Sequence, residues 1–182
     1  NAGAVFVDGT EITHMSEREK MPVRRRMSMV FQANALFDSL TVAENVGFFL
    51  QEHSTMRLRE ISERVQECLE FVNLPDEGLL LPEEISGGMK KRAGLARAMA
   101  MDPDILFFDE PSAGLDPVSS RLLDDLILEL RESLGTTIVV VTHELASIFA
   151  IGNNSVYLDV DERTMSASGD PRKLRDDSPN PS

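Results

Sequence analysis

Polar side chains suited to phosphate chemistry follow three apolar segments of the sequence. Gln32 ends the first segment, Asp109 and Glu110 follow the second, and His143 follows the third after one threonine. A carboxylate at such a point can hold Mg²⁺, directly or through water. A second carboxylate beside it can orient or deprotonate a water for phosphoryl transfer. Each residue alone has an ordinary structural explanation. Phosphate chemistry is favoured because the residues occur in this order and are expected at the same edge of one sheet.

The elements that must position these residues are predicted from hydrophobic patterning. Strands made of continuous apolar runs and separated by helices are typical of a parallel sheet covered on both faces, and ligands bind outside the carboxyl ends of such strands. The predicted fold class is therefore α/β. Strands are expected at 4–7, 27–31, 105–108 and 137–141, with closing antiparallel strands at 156–160 and 165–168, and helices at 42–50, 56–74, 87–101, 117–134 and 144–151.

A second feature is the run Ser86-Gly87-Gly88 at the start of a predicted helix. Ser86 can cap that helix, and free N–H groups at a helix N-terminus favour an anion. Glycines there let a phosphate approach the backbone closely. Three basic residues, Lys90, Lys91 and Arg92, follow within the first turns, where cations oppose the helix dipole. A basic run of this kind most often lies on a solvent-exposed face of a helix. That explanation does not account for the position of these three residues in the first turns.

Composition excludes several classes of protein. The 182 residues carry a net charge of -13, which disfavours nucleic-acid binding. The single cysteine, Cys68, excludes an internal disulfide and has apolar neighbours typical of a buried site. No apolar run approaches the length of a membrane span, so any membrane role is expected to depend on a partner.

Taken in order, these pieces resemble the ATP-binding subunit of an ABC transporter. The segment 27–32 resembles the Q-loop strand, 40–46 the start of the helical subdomain, and 85–89 the signature motif with Met89 where Gln is usual. The segment 105–110 resembles Walker B with the catalytic glutamate, 112–116 the D-loop, and His143 the switch histidine. The finer resemblance is to the Mla/Mce-associated lipid-transport ATPases, through the stretches M-S-M-V-F-Q-A-N-A-L-F-D-S-L-T-V and S-G-G-M-K-K-R-A-G-L-A-R-A.

The resemblance implies a P-loop NTPase (RecA-like) sheet in a single domain over 1–182, with a helical subdomain at about 40–101. It also implies ATP and Mg²⁺ as cofactors. Asp109 would hold Mg²⁺ through water, Glu110 would act as general base, and His143 would contact the γ-phosphate. Gln32 would contact Mg²⁺ and the attacking water.

In the family two subunits sandwich two ATP molecules. Ser86, Gly87 and Gly88 would therefore bind ATP held by a second copy, and Asp116 would help communicate across the dimer. The surface around Gln32 and residues 33–50 would receive a membrane permease, and a Mce-type substrate-binding protein is a further expected partner. The implied location is peripheral, at the cytoplasmic face of the inner membrane.

One departure from the family pattern is large. The sequence contains no G-x-x-x-x-G-K-[ST], and none of its four lysines follows a glycine. The P-loop strand and helix are therefore expected to be missing by truncation at the N-terminus, and the C-terminus is expected to be clipped as well. Without the P-loop, the chain alone is expected to be inactive as an ATPase. Three alternatives stay open: an importer subunit for another solute, an ABC ATPase acting on DNA or the ribosome, and a regulatory homologue without a P-loop. The short spacing between Gln32 and Ser86 and the acidic balance disfavour the second.

Overall fold

The computed structural model describes residues 3–32, 35–159, 161 and 163–177. In chain order the elements are β1 (Phe6–Val7), β2 (Thr10–Glu11), α1 (Glu17–Arg24), β3 (Met27–Val30), α2 (Val42–His53), α3 (Leu58–Phe71), a 3-10 helix (Pro82–Glu84), α4 (Gly87–Met99), β4 (Ile105–Asp109), α5 (Pro117–Leu134), β5 (Thr137–Val141), α6 (Leu145–Ile151), β6 (Ser155–Asp159), β7 (Thr164–Gly169) and α7 (Pro171–Asp177).

The central sheet is parallel, as the apolar runs predict, and its strand order is β3-β4-β5. The register places Val30 opposite Phe108 and Phe108 opposite Val140, so the carboxyl ends of all three strands reach one edge. The two hairpins β1-β2 and β6-β7 are antiparallel. The α/β class is therefore confirmed, and the polar residues after the strands share an edge.

The two faces of this sheet are covered to different degrees. Val30, Leu106 and Phe108 are almost fully buried on one face. On the other face Val139 is 40% exposed, while Val141, in the same edge strand, is 61% exposed. The expectation that the sheet is covered on both faces is therefore wrong for β5 in the described chain.

Helices α2, α3 and α4 pack against one another, and α4 also packs against β3. Their shared core is fully or nearly fully buried and includes Val42, Val46, Cys68, Leu69 and Leu95. Burial also raises the pKa of the Cys68 thiol to about 11, which keeps it protonated and apolar. Helix α4 is buried over most of its length, since small residues at Ala93, Gly94 and Ala96 let its neighbours approach closely.

Four elements were not expected from the sequence: β2, α1, the 3-10 helix and α7. Helix α1 begins at a capping box formed by Ser16 and Glu19 and ends at Arg24. Strand β2 completes a hairpin with β1 across the Asp8-Gly9 turn.

Smaller differences concern the edges of elements. On α5, which has the expected bounds, Leu122 is 37% exposed, whereas Leu123, Leu126 and Ile127 are buried. The predicted strand 156–160 corresponds to β6, although Val160 lies outside the described residues, as do Pro179, Asn180 and Pro181.

The described helices include none that is long and apolar enough to cross a membrane.

Candidate functional site

Glu110 lies where β4 ends and is fixed by its backbone. Its N–H donates to the carbonyl of Val141 on β5 at 2.9 Å, and its φ is +47°. A left-handed backbone is unfavourable for a glutamate, and such strained residues cluster at functional sites. The strain therefore marks Glu110 as the point where the chain turns abruptly away from the sheet.

The Glu110 carboxylate contacts the residues that follow β5. Its Oε1 lies 2.8 Å from Nδ1 of His143, and its Oε2 accepts a longer bond, 3.4 Å, from the Thr142 hydroxyl. An ionised carboxylate only accepts, so Nδ1 donates. The Glu110 side chain is 19% exposed, whereas the His143 side chain is 78% exposed and open to a ligand. The structure therefore brings these two predicted site residues together.

This contact changes the protonation of the histidine. The hydrogen bond that His143 donates to Glu110 is the main cause that raises the pKa of His143 above 6.5, and the negative charge of Glu110 is the next. Protonation gives the imidazole N–H groups on both nitrogens, so Nε2 can donate to an anion while Nδ1 stays with Glu110.

Asp109 and Gln32 lie at the same edge of the sheet. Asp109 is the last residue of β4 and is paired with Val141, while Gln32 is exposed two residues beyond β3. Within the described residues, no group of three or more His, Cys, Asp or Glu side chains is arranged to hold a metal ion. Mg²⁺ in phosphate sites needs only one or two carboxylates and completes its shell with phosphate and water. Asp109 therefore fits Mg²⁺ that arrives with a phosphate ligand.

The N-terminus of α4 is open to solvent. Ser86 caps it by accepting the N–H of Met89 at 3.3 Å, and both Ser86 and Gly87 are exposed. A side chain at Gly87 would meet no atom within 4 Å, so the fold itself does not require glycine there. A Cβ at Gly88 would lie 3.3 Å from the Ser119 hydroxyl oxygen, which gives that glycine a packing reason.

Asp116 caps the neighbouring helix α5. Its Oδ1 accepts the N–H groups of Val118 and Ser119 at 3.0 Å, and its Oδ2 accepts the Ser119 hydroxyl at 2.5 Å. The Ser119 hydroxyl bond is the main reason why the pKa of Asp116 is lowered. Ser119 is therefore bonded to Asp116 and lies close to Gly88, whereas no hydrogen bond or ion pair of the described residues joins Ser86–Gly88 to Glu110.

The basic run after Gly88 is not a solvated face. Lys91 is only 5% exposed, and its Nζ donates to the main-chain carbonyl of Gln32. Arg92 donates to the carbonyls of Val72 and Asn73 at the end of α3, at 2.8 and 2.7 Å. Sequence reasoning missed these roles, as it missed Thr142, because residue type alone does not reveal which lysine in a basic run is buried.

A groove of about 580 Å³ lies beside this edge, between α1, β3 and α2. Exposed apolar side chains line it, among them Met29, Phe31 and Phe37, and it has basic residues at Arg24 and Arg25.

Comparison with known proteins decides the family. A model of the ABC transporter family matches residues 1–113 of the chain. The chain belongs to the ABC transporter family. Over 163 residues it is 40% identical to the intermembrane phospholipid transport system ATP-binding protein MlaF of Haemophilus influenzae, which covers 90% of this chain and 61% of that relative.

Two further relatives extend the comparison. The methionine import ATP-binding protein MetN of Carboxydothermus hydrogenoformans is 42% identical over 158 residues, which cover 87% of this chain and 47% of that relative. A dimeric ATP-binding cassette in a post-hydrolysis state, bound to ADP and Pi, superposes with a TM-score of 0.82 at 30% identity, covering 94% of this chain and 74% of that one. The chain thus spans about half to three fifths of the curated relatives named here.

The Glu110–His143 contact predicts a pH dependence. In magnesium-free buffer, NMR titration should place the His143 pKa above 6.5, and Glu110→Gln should lower it. Because the folded-state pKa is raised, the contact stabilises the folded chain fully below about pH 6.5, and this contribution is lost as the pH rises through the folded-state value.

Glu144→Gln is the matched control, since Glu144 is the weakest of the groups that raise this pKa. A His143 pKa that responds equally to both substitutions would contradict the assignment of Glu110 as its main partner.

Proposed function

We propose that the chain is part of the ATP-binding subunit of an ABC transporter that hydrolyses ATP to drive transport. The observation that carries this proposal is the Glu110–His143 pair, 2.8 Å apart at the edge where β4 and β5 end. The pair places a proton acceptor beside a solvent-exposed imidazole at the ends of neighbouring strands, and phosphoryl transfer to water uses such a base together with a group that stabilises phosphate charge.

Each residue then has a chemical role. Glu110 takes the proton of the attacking water on Oε2, whose hydrogen-bond partner among the described residues is the Thr142 hydroxyl at 3.4 Å. His143 donates from Nε2 to the γ-phosphate, where charge builds up. Gln32, which is exposed at the same edge, orients the water from the other side.

Asp109 would hold Mg²⁺ through water, together with Gln32. When bound, Mg²⁺ would neutralise phosphate charge and align the phosphate oxygens. The half-buried position of Asp109 at the end of β4 supports this role.

The open N-terminus of α4 supports a site shared between two copies. Ser86, Gly87 and Gly88 begin a helix whose first N–H groups have no partner within the helix, and a Cβ at Gly87 would meet no atom within 4 Å. We assign these residues to the γ-phosphate of ATP bound by a partner subunit. A homodimer is supported by the dimeric ADP-bound cassette that superposes on this chain. Asp116, connected to Gly88 through Ser119, would transmit the state of one site to the other.

The transported substrate is proposed to be a phospholipid or another lipid. The likeness to MlaF over 90% of this chain supports this assignment. The second candidate is import of another solute, which the 42% identity to a methionine import protein favours. Among the neighbouring genes, a permease gene together with a gene for a Mce-type protein would support lipid as the substrate. A gene for a periplasmic solute-binding protein would support import of another solute.

The apolar groove beside β3 is proposed to receive the permease, which would hold the subunit at the cytoplasmic face of the membrane. Exposed Phe31, Phe37 and Phe49 offer anchors for an apolar helix, and the basic side chains beside them favour an acidic or helix C-terminal partner. The groove includes part of the expected surface at 33–50, of which residues 33 and 34 lie outside the described chain.

The nucleotide of this subunit would be held mainly by a P-loop outside these 182 residues. The absence of a G-x-x-x-x-G-K-[ST] sequence supports this view. So does the open apolar face at Val139 and Val141, which a further strand and helix would cover. The unit would then be one ABC domain over 1–182, with a helical subdomain at about 40–101 formed by α2, α3 and α4.

Substitution of Glu110 tests the catalytic assignment. In the full-length parent protein, Glu110→Gln should lower ATP turnover by roughly a hundredfold or more, because the amide cannot accept the proton of water. ATP should still bind, so the variant should elute as an ATP-bound dimer in gel filtration. Glu129→Gln, at an exposed position of α5, should leave turnover unchanged. Near-wild-type turnover in Glu110→Gln would contradict the role of Glu110 as base.

The missing P-loop makes a separate prediction about the 182-residue chain. Calorimetry should detect no tight ATP binding to the folded chain, because the lysine and backbone cradle that dominate phosphate affinity are absent. The parent protein should bind ATP under the same conditions. Micromolar affinity of the isolated chain for ATP would refute this view.

A further inference from the structure

The segment between β3 and α2 contains Gln32 and leads past the apolar groove. In its described part, one main-chain hydrogen bond, from Leu40 to Phe37 at 3.2 Å, supports a turn. Side chains of neighbouring helices form hydrogen bonds with other polar backbone groups in this part of the segment. Asn45 on α2, which is fully buried, accepts the N–H of Phe37 at 2.8 Å and donates to its carbonyl at 3.1 Å. The position of this segment therefore depends on the helices beneath it.

Lys91 on α4 holds the first point of the segment. Its Nζ donates to the carbonyl of Gln32, although the residue is almost completely buried. Burial lowers the pKa of Lys91, while the charges of Asp109 and Glu110 oppose that shift. A buried ammonium is costly unless it is well bonded, so its placement against one carbonyl and near two carboxylates is a specific constraint.

Arg97, six residues further along α4, holds the second point. Its Nη1 donates to the carbonyl of Ala35 at 2.7 Å, and its guanidinium lies 5.9 Å from the centre of the Phe37 ring. Ala35 has a φ of +47°, an unfavourable backbone for alanine that persists only where its surroundings fix it. Arg97 is 8% exposed and also lines the groove.

Both contacts come from the helix whose other end is the open Ser86–Gly88 terminus. A helix is stiff over this length, so a displacement at its first turn moves Lys91 and Arg97 with it. The segment they hold contains Gln32 and borders the groove at Phe31, Ala35 and Phe37. Helix α4 therefore links the anion site assigned at Ser86–Gly88 to the segment beside the groove that is assigned to the permease.

We propose that Lys91 and Arg97 are positioning residues that clamp Gln32 and Ala35 to α4. Through this α4 clamp, binding of an anion at Ser86–Gly88 shifts Gln32 in the same subunit and reshapes the groove beside it. Coupling of two sites needs such an element, whose arrangement both ligands bias. The clamp itself is a property of this chain, whereas its effect on ATP turnover rests on the proposed function.

Hydrogen–deuterium exchange on the 182-residue chain tests the clamp without ATP. Lys91→Met and Arg97→Met should each speed exchange of the Phe37 and Leu40 amides by about tenfold, because each leaves a backbone carbonyl without its donor and loosens the segment. Lys90→Met removes the same charge one residue earlier and should leave these amides unchanged. Lys91→Arg should restore slow exchange, and Arg97→Met alone decides the test if Lys91→Met does not fold. Unchanged exchange in both clamp variants would overturn the proposal.

Kinetics of the parent protein with its permease test the coupling. Lys91→Met should lower kcat by about tenfold and change KM for ATP by less than about twofold, since Gln32 is displaced while the P-loop still binds nucleotide. Lys91→Arg should recover most of the loss, and Lys90→Met should match wild type. If Lys91→Met alters hydrogen–deuterium exchange but has a normal kcat, the coupling between the two regions is refuted, whereas the clamp itself is not. A wild-type parent that hydrolyses no ATP would refute the proposed function, while the exchange result would stand.

Discussion

Glu110 is the residue on whose placement the rest of the candidate site depends. Its N–H is bonded to Val141 of the next strand, its backbone is left-handed, and its carboxylate contacts His143. These three constraints act together, because the sharp turn aims the side chain along the sheet edge toward the loop after β5. Without the parallel register that pairs Asp109 with Val141, neither the hydrogen bond nor the raised histidine pKa would exist.

Around this fixed point the molecule presents two separate groups of polar residues. One group lies at the strand ends, with Asp109 and Glu110 at its centre. The other lies at adjacent helix N-termini, where Ser119 joins Asp116 to Gly88. Helix α4 connects them, since Lys91 reaches Gln32 from the same helix that Ser86 caps. A site built from halves needs such a connection if an event at one half is to alter the other.

Much of this could be predicted from local sequence. Helix α5 has the expected bounds and ends at Gly135, which has the left-handed conformation that favours glycine, and the bounds of β5 follow from its apolar run. Helix α1 was missed because it contains Pro22 and buries no residue, so only its capping box signals it. The burial of Lys91 and the exposure of β5 depend on packing between distant segments, which local residue patterns do not encode.

The central claim is that Ser86 completes a site whose base is Glu110 of the other subunit. Mixed dimers of the parent protein test it most directly, with Glu110→Gln and Ser86→Arg placed in different subunits or in the same one. The account predicts that dimers with the changes in different subunits keep one intact site and hydrolyse ATP, while dimers with both changes in one subunit lose hydrolysis, because both sites are then damaged. The reverse pattern would mean that Ser86 and Glu110 of one subunit serve the same nucleotide, and it would contradict the account.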